Sequence, residues 1–495
     1  MRMDEARFIK VVRLGKTLLA GLLLVAFAIV FALFLGKLVV SPNWQDAVRL
    51  VAIGGLIVVI LMSPVNGLLL WIIVAPYALA HHTTLWHILN IRLPPGIPDL
   101  SLARLAVATL SVVWVAQLAI GKKKMRRLGA VEVFMVMFCI AVLPSAAAGL
   151  AGINRSVQVL FDKFITPFLV FALAKNLYEE KTGLDKLGLA LAVIGIYLSF
   201  MVFYESLTGQ PLVSNLGAIG GTPSYTRSLP KVVSLLGSPA FLATVLGMVV
   251  PIALYKLVRE RSPYARAFYG ALFLAALLGN FFCYNRGAWL ALVVGLFIML
   301  LCAWEYRRIL LPILLIAAVV GLVYWQVISE SAVATERLSN VSSLRFRLTM
   351  LEASEKMIRN DLLFGVGLGN FAHYFLEYGG YWPTLAYDQP TPHNSYVLVL
   401  STMGLVSFIP YVLIFISMFL EMWAMFRRPR EDSRVDRALL VSGWAVIAVY
   451  TVSAAAVDLW INVFTSLVFF LVTGTILGYA GHLRSSRPRL QQAQV

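Results

Sequence analysis

Charge is what this sequence has least of. Only 13% of its residues are Asp, Glu, Lys or Arg, while 60% are hydrophobic; soluble globular domains carry roughly 25% charge. A soluble fold of 495 residues cannot hide that much apolar surface, whereas lipid can. The apolar residues come in blocks of about 20, the length an α-helix needs to cross a hydrocarbon core of about 30 Å. The fold class is therefore all-α and polytopic, and a β-barrel is excluded. Cysteine is scarce too: the three, Cys139, Cys283 and Cys302, fall in or beside apolar blocks with no CxxC spacing, so neither a disulfide framework nor a zinc site is indicated. Acids are outnumbered, 24 against 41 basic residues. No DxD pair stands in the segments assigned below to the outside, so a metal holding a sugar diphosphate is not supported, and no cofactor is expected.

The net charge of +17 raises the question of nucleic acid, but the cations sit between apolar blocks and read first as topology determinants, since short Lys/Arg-rich loops stay in the cytoplasm. After a basic start at Arg7, Lys10, Arg13 and Lys16, a first block runs from Thr17 to Val40. It is too long for a signal-peptide core and no small-residue cleavage site follows, so a retained span is expected. Further blocks lie near 47–62, 65–80, 100–120, 130–150, 157–174, 184–207, 238–258, 265–284, 288–304, 309–328, 394–426, 438–457 and 461–481. The expectation is twelve to fourteen transmembrane helices in one domain, 1–495, with the pair at 47–80 open to reading as a re-entrant element. An even count with a cytoplasmic N-terminus puts Lys122–Arg127, Lys175–Lys186, Arg259–Arg266, Arg307 with Arg308, Arg427–Arg437 and the tail at Arg484–Arg489 on one side, both termini included.

Two segments on the other side are long, 208–237 and 329–393. In the second, Leu344, Leu348, Leu351 and Ile358 recur at helical spacing, predicting an amphipathic helix capped by Ser342 or Ser343 and ending near Asn360. Gly365-Val-Gly-Leu-Gly369 follows. A nucleotide loop would need a preceding strand and a following Lys-Ser/Thr, neither of which is present, so the run is read as a tight, backbone-exposed turn.

Arginines on the outer side stand against the topology bias. Arg286 sits in the short turn Tyr284-Asn285-Arg286-Gly287, where it either grips a ligand that Gly287 lets approach or snorkels to headgroups. On the amphipathic helix, Arg345 falls with Glu352, Lys356 and Arg359 on the charged face. Arg347 falls on the flank of the apolar stripe beside Met350 and Ser354, partly desolvated and suited to hold an anion with its planar fork. Glu355 falls within the stripe and needs a partner, with Arg345 and Arg347 as candidates. His81, His82 and His87 share a loop without the i, i+4 offset of a helical metal site. His393 closes the long segment at Pro392-His393-Asn394, where an imidazole with its ordinary pKa of about 6.5 suits a general base, although an interfacial histidine is also a common structural residue. Tyr381, Trp382 and Tyr387 precede it and either stack on sugar rings or form an interfacial aromatic belt.

Together these residues resemble the O-antigen ligase and polymerase superfamily of bacterial membrane glycosyltransferases. The resemblance runs from about Asn285 to Gly404. It rests on the Asn-Arg-Gly turn, on Arg347-Leu-Thr-Met-Leu351 as an RxxxL element, on Asp361-Leu-Leu-Phe-Gly-Val-Gly-Leu-Gly-Asn-Phe371 as a proline-less form of a PLLGVGxGNF stretch, and on His393-Asn394 with nine residues before Gly404. Leu351 stands where the family often has Trp. The resemblance implies an inner-membrane enzyme that moves a glycan from undecaprenyl diphosphate to a lipid A-core or growing polysaccharide acceptor, inverting and without metal, at the periplasmic face. Carried over by position, Arg286 and Arg347 bind the diphosphate and His393 acts on the acceptor hydroxyl; Tyr381, Trp382, Tyr387 and Asn394 are separate candidates for sugar contacts. The rival reading is a lipid-linked glycan flippase or secondary transporter, which places ionisable residues near the bilayer midplane. Glu132, Glu205 and Asp458 sit at block ends instead; Asp162 and Lys163 do not, and are a candidate pair.

Overall fold

The computed structural model describes residues 44–80, 101–123, 125–178, 181–210, 212, 232, 235–323, 341–379, 390–428 and 436–485. The block at 17–40, the histidines at 81, 82 and 87, and Tyr381, Trp382 and Tyr387 lie outside them. The described chain is helical throughout: α1 (Trp44–Met62), α2 (Pro64–Ala80), α3 (Leu102–Ala119), α4 (Ala130–Ala141), α5 (Leu143–Ala147), α6 (Ile153–Leu160) and α7 (Thr166–Leu177) come first. They are followed by α8 (Lys181–Thr208), α9 (Pro239–Arg259), α10 (Pro263–Phe282), α11 (Arg286–Cys302), α12 (Trp304–Val323), α13 (Val341–Asn360), α14 (Phe371–Gly379), α15 (Ser395–Phe426), α16 (Arg437–Ala454) and α17 (Val463–Ser485). Among the described residues nine helical segments are long and apolar enough to cross a membrane, with three shorter apolar helices beside them. The protein is a polytopic membrane protein. The pair at 47–80 resolves into two helices joined at Ser63, with Gly67 seated against Ile60.

The helix starts follow from capping chemistry. Ser101, Ser238, Ser262, Asn285, Asn394 and Asp436 each accept a first-turn N–H, and Pro239 and Pro263 occupy first positions that need no amide. α9, α16 and α17 form the deepest part of the bundle, while α3 and α10 keep apolar faces outward, as lipid-facing helices do. α17 meets α7 closely because Gly474 and Gly478 stand one turn apart: a Cβ there would lie 2.7 Å from the Phe171 carbonyl oxygen and 2.5 Å from that of Lys175.

Two parts of the segment between α12 and α15 depart from expectation. The leucine stripe of α13 is not the face that packs: Leu348 is 49% and Leu351 38% exposed, whereas Met350, Ala353, Ser354 and Met357 are buried. Ala353 and Ser354 are small enough to let α13 approach α15, where a row of leucines would hold it away. The helix ends at Asn360 as expected; the Ser342 and Ser343 side chains lie outside what the structure describes. Glu355 is exposed and pairs with Arg359 at 2.5 Å, one helical turn on, and not with Arg347; the Arg345 side chain lies outside what the structure describes.

The glycine run is not an exposed turn either. α15 is broken at Gly404, whose φ of 72° and ψ of 178° are not helical. The carbonyls of Ser401 and Thr402 that the break leaves over accept from Val366 N and Gly367 N, both at 3.0 Å; in return Leu405 N donates to the Leu362 carbonyl at 2.8 Å. A buried backbone group without a partner is costly, so the loop and the broken helix complete each other. The approach requires glycine on both sides: a Cβ on Gly404 would lie 2.2 Å from the Leu363 oxygen, and one on Gly365, at φ +69°, 2.4 Å from the Thr402 carbonyl carbon.

Candidate functional site

Helices alternate in direction, so the turns after α5, α10 and α16 and the start of α15 collect at one end of the bundle. Arg286, Arg347 and His393 all belong to this end. Arg286 is the first residue of α11 and is exposed; Asn285 caps the helix by accepting Ala288 N at 2.9 Å, and Tyr284 before it has a φ of 52°. The same arrangement recurs at α15. His393, half-buried, has a φ of 50°, and Asn394 caps the helix by accepting Tyr396 N at 3.0 Å and Val397 N at 3.1 Å. Tyr284 and His393 are the only non-glycine residues with positive φ among the described residues. Left-handed backbone costs an ordinary residue about 1–2 kcal/mol and collects at functional sites. Each arrangement also aims a helix N-terminus, with its partial positive charge, toward the same end. Asn394 thus has a structural job that the sequence reading did not foresee.

What joins the two turns is the short connection between α16 and α17. Gly287 packs on Ala456, its missing Cβ leaving room where one would lie 2.5 Å from the alanine methyl. Two residues on, buried Asp458 accepts Asn394 N at 2.8 Å, and Ser395 Oγ donates to the Val457 carbonyl at 2.9 Å while accepting Leu459 N at 2.8 Å. Burial pushes the Asp458 carboxyl up to about 6. The Thr391 hydroxyl, the backbone of Asn394 and His393, and the Arg347 guanidinium all act the other way. Arg347 is therefore close enough for its charge to reach a carboxylate that fixes the His393 loop. Its own guanidinium is exposed, not partly desolvated as expected, although it lies in line with buried Met350 and Ser354.

Asp458 is the functional candidate that sequence reasoning passed over. The available signal was a lone carboxylate in the run Ala454-Ala-Ala-Val-Asp458-Leu-Trp460 between the last two apolar blocks. Its partners lie more than 60 residues away, and only the fold discloses them. Asp162 and Lys163 lie beside each other, but their hydrogen bonds go elsewhere. Asp162 receives both Nε and a terminal nitrogen of Arg104 at 2.7 Å, and Lys163 donates to the Ile461 carbonyl.

The fold and this end of the bundle define a polytopic membrane protein with Arg286 and His393 at the starts of two helices and Arg347 on the helix that lies between them in the chain. Residues 270–412 match the family described as O-antigen ligase, which makes the chain similar to the O-antigen ligase-like superfamily and supports a glycosyltransferase-like enzyme of ligase or polymerase type. The matched region contains Arg286, Arg347, His393 and Gly404, and stops short of Asp458. No curated protein matches the chain.

Proposed function

We propose that this protein transfers a glycan from a polyprenyl diphosphate, undecaprenyl diphosphate in bacteria, to a sugar hydroxyl at the outer face of the inner membrane. The acceptor is a lipid A-core or a growing polysaccharide chain. The observation that carries this reading is the junction at Asp458, which holds the His393 loop through the Asn394 amide, bears a charge that Arg347 feels, and lies two residues from the seat of Gly287. A lipid-anchored diphosphate sits at the membrane surface, and there two exposed guanidiniums and two helix N-termini supply fixed positive charge where the leaving group becomes more negative. The acceptor oxygen forms its bond to the anomeric carbon as the bond to the diphosphate oxygen breaks, inverting that carbon. The acceptor proton passes to His393, because a sugar hydroxyl is a weak nucleophile without a base. These residues need no metal for either task. Tyr381, Trp382, Tyr387 and Asn394 remain the proposed sugar contacts, Asn394 alongside its capping role.

The test is transfer by the purified protein in lipid nanodiscs, supplied with a polyprenyl diphosphate glycan and candidate acceptors, with and without chelator. Arg286→Ala and Arg347→Ala are expected to lower kcat by about 10²–10³-fold, the cost of losing one fixed donor to developing charge. Chelator is expected to change nothing. Undiminished transfer in both arginine variants would sink the diphosphate assignment. Whether lipid A-core or a free repeat unit is extended separates ligation from polymerisation.

A further inference from the structure

Asp162 and Lys163 lie inside the candidate span Ile153–Leu177, where the helix widens into a π-helical turn over Phe161–Ile165. Ionisable residues at such a position are costly in a bilayer and rarely incidental, and π-turns inside helices are frequent at functional sites. The π-turn is anchored from one side by Arg104 of α3, whose paired bonds hold the Asp162 carboxylate. From the other side it reaches the connection that carries Asp458. Lys163 donates from Nζ to the carbonyl of Ile461, the last residue of the 3-10 turn Leu459–Ile461, and the ring of Phe164 meets Trp460 of the same turn at 5.3 Å. Asn462 then closes the connection by donating to the Leu236 carbonyl at 3.2 Å.

We infer that Lys163 is a positioning residue of the transfer site: by anchoring the Ile461 carbonyl it fixes the 455–462 connection, and through Asp458 it sets the His393 loop and the reach of Arg347. This rests on the proposed transfer reaction. The ammonium acts as a hydrogen-bond anchor and not as a third charge on the diphosphate, since one of its three N–H donors is held by a backbone carbonyl and Asp162 already lies beside it. An apolar side chain leaves that carbonyl without its donor and frees the connection to shift. A displacement of about 1 Å at a reacting group costs on the order of 10²-fold in rate.

The experiment uses the full chain in nanodiscs with a polyprenyl diphosphate glycan donor, and compares Lys163→Met, Lys163→Gln and Lys163→Arg with wild type. Lys163→Met is expected to lower kcat by at least about tenfold with donor KM changed less than about threefold, the signature of lost positioning. Gln and Arg can still donate to the carbonyl and are expected to stay within about threefold of wild type in kcat. Lys163→Met combined with Asp458→Asn should cost little more than the worse single change, because both act through one connection. Full activity of Lys163→Met, multiplicative losses in the double variant, or a Gln variant as impaired as Met each overturns the inference. If Lys163→Met does not fold, the Gln and Arg variants decide it: loss of about tenfold or more in Gln with Arg intact assigns the role to charge and refutes anchoring. Backbone amide exchange over 455–462, faster in Met than in Gln or Arg, reads the anchor without catalysis. Wild-type chain that transfers nothing while showing this exchange pattern refutes the reaction and leaves the anchor standing.

Discussion

At the scale of single residues, the site combines strain with buried charge, and the two make separable predictions. His393 holds a φ of 50° that glycine adopts freely. His393→Gly should therefore be more stable than His393→Ala by about 1 kcal/mol, measured by thermal unfolding in detergent. Both should lose transfer by about 10²–10⁴-fold, the usual value of a general base; equal stability would mean that the left-handed backbone is not retained in the variants. Asp458 behaves in the opposite sense to a salt-bridged acid. Its carboxyl rises from 3.8 to about 6 on folding, so the folded state is favoured while the acid is protonated, and that stability is lost as pH rises from about 4 through about 6. Asp458→Asn, which can still accept the Asn394 amide, should unfold at a higher temperature than wild type at pH 8 and at nearly the same temperature at pH 4. The same change removes the negative charge facing Arg347, so transfer at pH 8 should fall despite the gain in stability. A stability gain that is equal at both pH values would refute a buried, ionising Asp458.

At the scale of elements, the break in α15 and the glycine loop behave as one joint. Gly404→Ala forces a side chain into left-handed backbone 2.2 Å from the Leu363 oxygen, and should cost at least about 2 kcal/mol between conformational strain and displaced hydrogen bonds. The loop follows α13 directly, so loosening the joint also loosens Arg347 relative to His393. Transfer should fall further in Gly404→Ala than in Gly369→Ala, whose Cβ would meet nothing within 4 Å. Equal losses of activity would mean that the joint does not set the site. Sequence disclosed the existence of α13, its end at Asn360 and its exposed charged face at Glu352, Lys356 and Arg359. It did not disclose which face packs, because two stripes with helical spacing coexist and hydrophobicity favours the leucines over the smaller residues that permit close approach. Nor did the glycines reveal their purpose: carbonyls freed by a break 35 residues downstream are invisible in a local reading. Arg286, Arg347 and His393 stood out as candidates because each breaks a local rule of sidedness or position, whereas Asp458 and Lys163, the candidates the fold adds, break none that their neighbours in sequence could expose.

Across the described residues, several cations at the end with the basic loops are matched. Arg259 holds Asp436 through two bonds of 2.5 and 2.6 Å with Glu305 at 3.4 Å, Lys175 holds Glu132 at 2.6 Å, and Lys256 pairs with Asp185. At the other end Arg155, Arg286 and Arg347 are exposed, and none has a salt-bridge partner among the described residues. Matched cations brace helices against one another, while unmatched ones leave a positive field open to an anionic head group. If positive-inside bias governs insertion, the matched end faces the cytoplasm and the open end faces outward. Cysteine labelling tests this directly. With the native cysteines replaced by serine, a membrane-impermeant maleimide added to spheroplasts should label Asn154→Cys and Asp361→Cys, both exposed at the open end, and should reach Lys122→Cys and Arg261→Cys only after permeabilisation. The reverse pattern would put Arg286, Arg347 and His393 in the cytoplasm and would remove the outer-face transfer reaction proposed for them.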